Sequence, residues 1–380
     1  MLGAETSSRI ERSSTVPGTE ELVINMGPQH PSTHGVLRII LKLDGETVKD
    51  VDCDIGYLHR GTEKIGENIT YTMFIPYTDR LDYIAAPSCN LAWVQAVESF
   101  FDWEIPGRAL FIRSIVAELS RIASHLLWLA THALDIGAMT VFLWCFRERE
   151  MVLDLFERAF GARLTVNAFR LGGLYQDVPQ EFLDDARKFI ELFPDRVDDY
   201  ETLLTENRIW LQRTRGVGVI SAEDALDYGL TGPILRASGV KWDLRRAKPY
   251  AAYPYVNFTI PVGENGDVYD RYLVRLVEMR ESASIIGQCL DMLPGGPISC
   301  KTPRTIKPPA GEIYHGTENP KGEFGFYIVS DGTETPYRVR IRPPSFINLA
   351  GLKKLCVGEL LADVIAIIGS IDIVLGECDR

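Results

Sequence analysis

Between Pro106 and Leu126 the apolar residues Ile112, Ile115, Val116, Leu119, Ile122, Ala123 and Leu126 recur at three- and four-residue intervals. That spacing predicts a long amphipathic helix, with Arg113, Glu118 and Arg121 among the polar positions between. A second helix is expected after Thr140 as N-cap, through FLWCFREREMVLDLFERAF to a stop at Gly161. Further helices fit 178–193 and 195–213, so the middle of the chain reads as a helical bundle. Toward the N-terminus the pattern changes. Residues 21–25 read as a short strand, followed by the loop GPQHPSTHG, then VLRIILKL and ETVKDVDC joined at Asp44-Gly45 as a β-hairpin. A Pro- and Gly-rich stretch over 293–311 precedes a second hairpin, EFGFYIVS and PYRVRIR across Asp331-Gly332, and then a final apolar helix and strand. These elements imply an α+β fold with 1–20 as a flexible start, 21–88 as an N-terminal α+β region, 89–292 as a helical bundle and 293–380 as a C-terminal hairpin and helix. No internal repeat is visible.

Residues 126–146, LLWLATHALDIGAMTVFLWCF, are long enough to cross a bilayer and carry only His132 and Asp135 as ionisable groups. An Asp near the centre of a span costs about 2.5 to 3.5 kcal/mol on insertion scales. Gly137 also interrupts the run, so a buried helix pair is expected instead.

Composition narrows the function classes. With 380 residues, 46% of them hydrophobic, the chain can bury a large core. Its net charge of -12, from 52 acidic against 40 basic residues, argues against a nucleic-acid surface and against direct docking on anionic lipid. The polar start, Met1 to Glu20, has no apolar stretch of the secretory kind. Cysteines 53, 89, 145, 289, 300, 356 and 378 are scattered and odd in number, which fits reduced thiols. No Gly-rich phosphate loop occurs at a strand-to-helix junction, and no CxxC pair is present. NADH is therefore not expected to bind here, and no metal centre is expected on this chain.

Four short motifs carry candidate chemistry. In GPQHPSTHG, His30 and His34 are four apart, but Pro31 disfavours a helical metal pair. The stiff loop could hold an imidazole at a cavity wall, or could be a turn whose histidines bond to backbone. In HRGTEK, Arg60 could face a negative cofactor or pair with Glu63 or Glu67. PYTDRLDY carries Arg80 and Tyr83, the latter more commonly a buried ring with a satisfied hydroxyl. THALDIGAMT puts His132 and Asp135 one turn apart in the most apolar stretch, where a carboxylate needs a partner, structural or functional.

Taken together, MGPQHPSTHGVLR, HRGTEK, DRLDY, SRIASH, THALDIGAMT, FRERE, GPILRASG, WDLR, KGEFGFYIVSDG, RPPSFINL and DIVLGECDR resemble the 49-kilodalton subunit family of respiratory complex I, from Glu21 to Arg380. That family is similar to the large subunits of nickel-iron hydrogenases without their metal, and the single Cys89 and Cys378 agree with the loss of the nickel-binding pairs. The resemblance implies a hydrogenase-large-subunit-like fold and a role in proton-pumping NADH:quinone oxidoreduction, with no turnover by the isolated chain. It implies a quinone chamber, for menaquinone or ubiquinone, in which His34 and Tyr83 bond the two quinone oxygens, Asp135 pairs with His34, and His30 lines the wall. Arg60 and Arg80 would lie near a 4Fe-4S cluster carried by the small partner subunit. Further partners implied are a 30-kilodalton-type subunit, a membrane-arm quinone-channel subunit and an eight-iron ferredoxin-like subunit, with the chain peripheral on the cytoplasmic side of a bacterial plasma membrane.

One position departs from the family. After Gly161 the chain reads GARLT, with Thr165 where members often carry a titrating histidine. A cluster potential that varies little with pH, and a low-potential quinone such as menaquinone, are therefore expected. Three competing readings remain: a hydrogenase large subunit, a relative fed by ferredoxin or another donor, and a scaffold whose quinone chemistry lies on its partner.

Overall fold

The structure is a computed structural model that describes residues 11–16, 19–29 and 35–380, with side chains from residue 22 onward. Alternation of buried and outward side chains from Arg38 to Asp44 produces strand β3, whose Ile39, Leu41 and Leu43 are buried on one face. It lies in an antiparallel meander in the order β1 (Glu11–Val16), β2 (Thr19–Met26), β3 (Arg38–Asp44) and β4 (Thr47–Asp54). The Asp44-Gly45 hairpin is present, Gly45 supplying a φ of 64°. Strand β1 falls within the segment expected to be a flexible start.

Short helices α1 (Thr62–Gly66) and α2 (Ile75–Thr78) lead into α3 (Ala86–Glu98), α4 (Gly107–Asp135) and α5 (Met139–Phe160). The minimal hairpin β5 (Phe169–Arg170) and β6 (Gly173–Leu174) precedes α6 (Gln180–Leu204) and α7 (Arg208–Thr214). After α8 (Ala222–Asp227), α9 (Pro233–Ala237) and α10 (Leu244–Ala247) comes the long α11 (Val268–Asp291). Helices α4, α5, α6 and α11 pack on one another as the bundle.

The pattern at 126–146 resolves into the end of α4, a turn at Ile136–Ala138 and the start of α5, with Gly137 at φ 101°. No helix among the described residues is long and apolar enough to cross a membrane. Helix α5 starts at Met139 with Ala138 as N-cap, so Thr140 lies inside its first turn, and Gly161 closes it in the left-handed region. The expected break near residue 194 does not occur. The buried stripe Phe182, Ala186, Phe189, Phe193, Val197, Tyr200 and Leu204 continues through Pro194, and its packing holds α6 together across the residue that should end it.

Helix α4 also differs from the amphipathic expectation, because Arg113, Glu118 and Arg121 are buried with the rest. Arg113 grips Glu98 through two hydrogen bonds of 2.9 and 2.7 Å. Glu118 accepts from the Tyr253 hydroxyl at 2.5 Å and Ser282 at 2.6 Å, beside Arg121 and Arg245. Burial alone would raise its pKa; Arg121 and Arg245 pull it down to about 2.

The C-terminal part holds an antiparallel sheet of β7 (Gly311–Asn319), β8 (Gly322–Ser330) and β9 (Arg338–Arg342). The β8–β9 pair is the expected hairpin, and β7 is an added strand. Helices α12 (Pro344–Ala350), α13 (Leu352–Cys356), α14 (Leu361–Ile371) and α15 (Leu375–Asp379) end the chain. The expected final strand is the helix α15: its residues, Glu377 and Asp379 included, are buried against side chains and loops rather than a sheet edge. Leu355, Val364, Ile367, Ile368, Ile371 and Leu375 share one core with β3 and β4, which brings the two ends of the chain together.

Candidate functional site

The joining of the chain's two ends builds the site around α15. The Asp379 carboxylate accepts from the Gly56 and Leu58 amides at 2.9 and 2.7 Å, and its carbonyl accepts from the His59 ring at 2.6 Å. The Arg60 amide donates to the Arg380 carbonyl at 3.2 Å. Four contacts thus clip residues 56–60 onto the end of the chain.

Arg60 is not spent on Glu63 or Glu67. Its guanidinium donates to the Arg80 carbonyl at 2.8 Å and the Gly376 carbonyl at 3.0 Å, bridging two loops. Glu63 and Glu67 face Arg338 and Arg340 of β9 instead. Arg60 and Arg80 line one cleft of about 370 Å³ with Thr62, Ile65, Pro76 and Tyr77, a largely apolar hollow with guanidinium groups at its rim. The Arg80 side chain is half exposed and donates to the Pro76 carbonyl at 2.6 Å. Beneath it, 3.7 Å away, lies Asp79, fully buried; burial pushes that carboxyl up to about 7 against the pull of Arg80, the Asn167 amide and Arg170.

Tyr83 is not part of that lining; it stands against Gly376, whose carbonyl holds Arg60, is 40% exposed, and among the described residues its hydroxyl makes no hydrogen bond. The ring is braced on backbone: a Cβ added at Gly376 would lie 2.9 Å from it and 2.6 Å from the Leu81 carbonyl, so only glycine fits. Burial, then the charge of Asp82, raise the Tyr83 pKa; Lys321 and Arg60 oppose them. The phenol therefore stays protonated, ready to donate.

Asp135 ends α4, half buried, and burial raises its pKa to about 6. Among the described residues it makes no hydrogen bond or ion pair. His30 and His34 lie outside the described residues, so the Asp135–His34 pair does too. His132, one turn before Asp135, is a core residue, stacked 5.3 Å from Trp128 and edge-on to Trp210.

Sequence reasoning missed a buried group behind Tyr83. Lys321, in the turn between β7 and β8, donates to Asp82 and Ser124, each at 3.0 Å, and lies 3.8 Å from Asp372. Glu377 completes it, with the Ser345 amide 2.9 Å from one oxygen. A lysine between Pro320 and Gly322 reads as a surface turn, and Asp82 beside Arg80 reads as a polar loop. Only the motifs KGEFGFYIVSDG, DRLDY and DIVLGECDR carried a signal.

Cys89 and Cys378 are both buried, and burial raises both thiol pKa values. Among the described residues no group of three His, Cys, Asp or Glu could hold a metal ion.

The family model for the respiratory-chain NADH dehydrogenase 49 kDa subunit matches residues 135–308 and 301–380. The chain belongs to this family. A relative from Solibacter usitatus, a subunit of NADH-quinone oxidoreductase, is 57% identical over 367 residues, covering 97% of this chain and 99% of the relative. The matching NADH-quinone oxidoreductase subunit of Geotalea uraniireducens is 55% identical over 387 residues, covering 95% and 99%, and that of Carboxydothermus hydrogenoformans 53% over 361 residues, covering 95% and 99%. As a member of the 49 kDa family the chain is a subunit of complex I. NADH:quinone oxidoreductase activity belongs to the assembled complex, and the chain's partners are other subunits of it.

Proposed function

We propose that this chain forms the quinone-reducing face of its complex, with Tyr83 donating a proton to one quinone oxygen. The observation that carries the reading is an exposed, protonated phenol fixed on backbone at Gly376, the same residue whose carbonyl anchors Arg60 at the edge of an apolar cleft. Two-electron reduction puts negative charge on both quinone oxygens, and donors placed there lower its cost. His34 serves the second oxygen in this reading, with Asp135 holding its imidazolium charged and His30 on the chamber wall.

Electrons reach the quinone from a 4Fe-4S cluster on the small partner subunit, which supplies one-electron transfer. Arg60, held rigidly between two carbonyls, and the more exposed Arg80 set positive charge beside that cluster and raise its potential. The chain sits peripherally on the cytoplasmic side of the membrane, attached through the quinone-channel, 30-kilodalton-type and ferredoxin-like subunits. Thr165 cannot titrate, which favours menaquinone as the acceptor.

The test is Tyr83→Phe in native membranes, which removes one hydroxyl and little volume. NADH:quinone reduction should fall by roughly 10²-fold or more, the scale of general acid catalysis. NADH:ferricyanide reduction, which bypasses the quinone site, should persist. If both rates survive, the quinone is reduced elsewhere.

A further inference from the structure

Behind Tyr83, three carboxylates, Asp82, Asp372 and Glu377, share two cations, Lys321 and Arg275. None of these residues is more than 6% exposed. Fully ionised, the group would hold one uncompensated negative charge out of water, a cost that such a site avoids by keeping a proton.

The geometry says where that proton sits. Asp82 takes both a Lys321 hydrogen bond at 3.0 Å and the Ile84 amide at 3.2 Å. Asp372 has Lys321 at 3.8 Å and the field of Arg275. Among the described residues Glu377 has the Ser345 amide on one oxygen, no hydrogen-bond partner on the other, and Lys321 only through its field. Ser124 on α4, Ser345 on α12 and the buried Cys89 thiol on α3 also face the group, and the nearby Arg60 guanidinium is spent on the Arg80 and Gly376 carbonyls.

We propose that Glu377 carries a proton at neutral pH and returns it to Tyr83 after Tyr83 has protonated the substrate quinone. This rests on the reading of Tyr83 as the quinone donor. The two groups share one brace, since the Tyr83 ring lies on Gly376 and Glu377 follows it, while Asp82 precedes Tyr83. In balance, NADH supplies two electrons through the partner subunits. The Tyr83 O–H bond breaks as an O–H bond forms on the quinone. The tyrosinate takes the proton of the Glu377 carboxyl, which becomes a carboxylate facing Lys321, and a proton from water later restores it. The second quinone proton comes from the His34 side. The transfer runs downhill, because burial and Asp82 raise the Glu377 carboxyl to about 8 while the Tyr83 phenol is raised above its ordinary 10.0. Glu377 acts through Tyr83, so it is a positioning residue for the proton and not a group on the substrate.

Redox-difference infrared spectroscopy of the assembled complex tests this. The native complex should show a protonated carboxyl band that shifts in D2O, weakens when quinone is reduced, and titrates away through about pH 8. In Glu377→Gln the band should be missing and quinone turnover should fall roughly tenfold, a fraction of a full general-acid effect, with ferricyanide reduction kept. A native complex without the titrating band overturns the proposal even if the variant fails to assemble, as does a band that survives in Glu377→Gln. A Tyr83→Phe complex that still reduces quinone overturns the reading of Tyr83 instead, and the resting band would be unchanged by it.

Discussion

Tyr83 is oriented by what its ring rests on. Its hydroxyl is left for a substrate because the Gly376 backbone, rather than a hydrogen bond, positions the phenol. Asp135 presents the complementary case, a half-buried carboxyl without a described partner, pushed up to about 6 by burial. In Asp135→Asn, an imidazolium at His34 would lose the carboxylate that raises its pKa, so the alkaline limb of the quinone-reductase pH profile should move to lower pH. An unmoved limb would separate Asp135 from His34. A third residue-scale outcome concerns Thr165: the terminal cluster potential should vary little between pH 6 and 8. A slope centred near 7 would contradict this and implicate Asp79, the buried carboxyl beside Arg80 whose pKa lies about there. Tyr83, Arg60 and Arg80 stand out as candidates in the sequence because each sits in a long motif. Glu377, Lys321 and Asp82 were not read as a group. Their meeting depends on contacts between residues more than two hundred positions apart, which no local pattern encodes.

At the scale of elements, α15 is the brace on which the site is built, and its one small residue decides whether Tyr83 can approach. Gly376→Ala should press a methyl into the Leu81 carbonyl and the Tyr83 ring, costing about 1 to 3 kcal/mol as overpacking does. The expected result is an assembled complex with intact ferricyanide reduction and a much lower quinone rate, read by comparing the two activities. Periodicity found α4, α5 and the two hairpins well, since each is long or has a glycine in its turn. It failed at Pro194, where a buried stripe carries α6 through, and at the terminus, where a short apolar run was compatible with strand or helix until packing decided.

Across the whole molecule, the bundle is held by ions as well as by hydrocarbon. Arg236 lies 2.7 Å from both Glu278 and Glu318, all fully buried, and His125 reaches Glu278 at 2.9 Å. Arg236→Leu should cost about 3 to 5 kcal/mol by stranding two carboxylates, seen as loss of the subunit from assembled complex. Glu377 adds a pH term. Its folded pKa is raised from an ordinary 4.5 to about 8, so its contribution is full below 4.5 and is lost as pH rises through about 8. Thermal stability of the complex should therefore decline from about pH 5 to 8 and level off above, and decline less in Glu377→Gln. The central claim is that quinone is reduced against this chain at Tyr83, and photolabelling native membranes with an azidoquinone tests it most directly. The account predicts label on residues 79–89 or 375–380, removed by excess quinone; label confined to partner subunits, with these segments untouched, would contradict it.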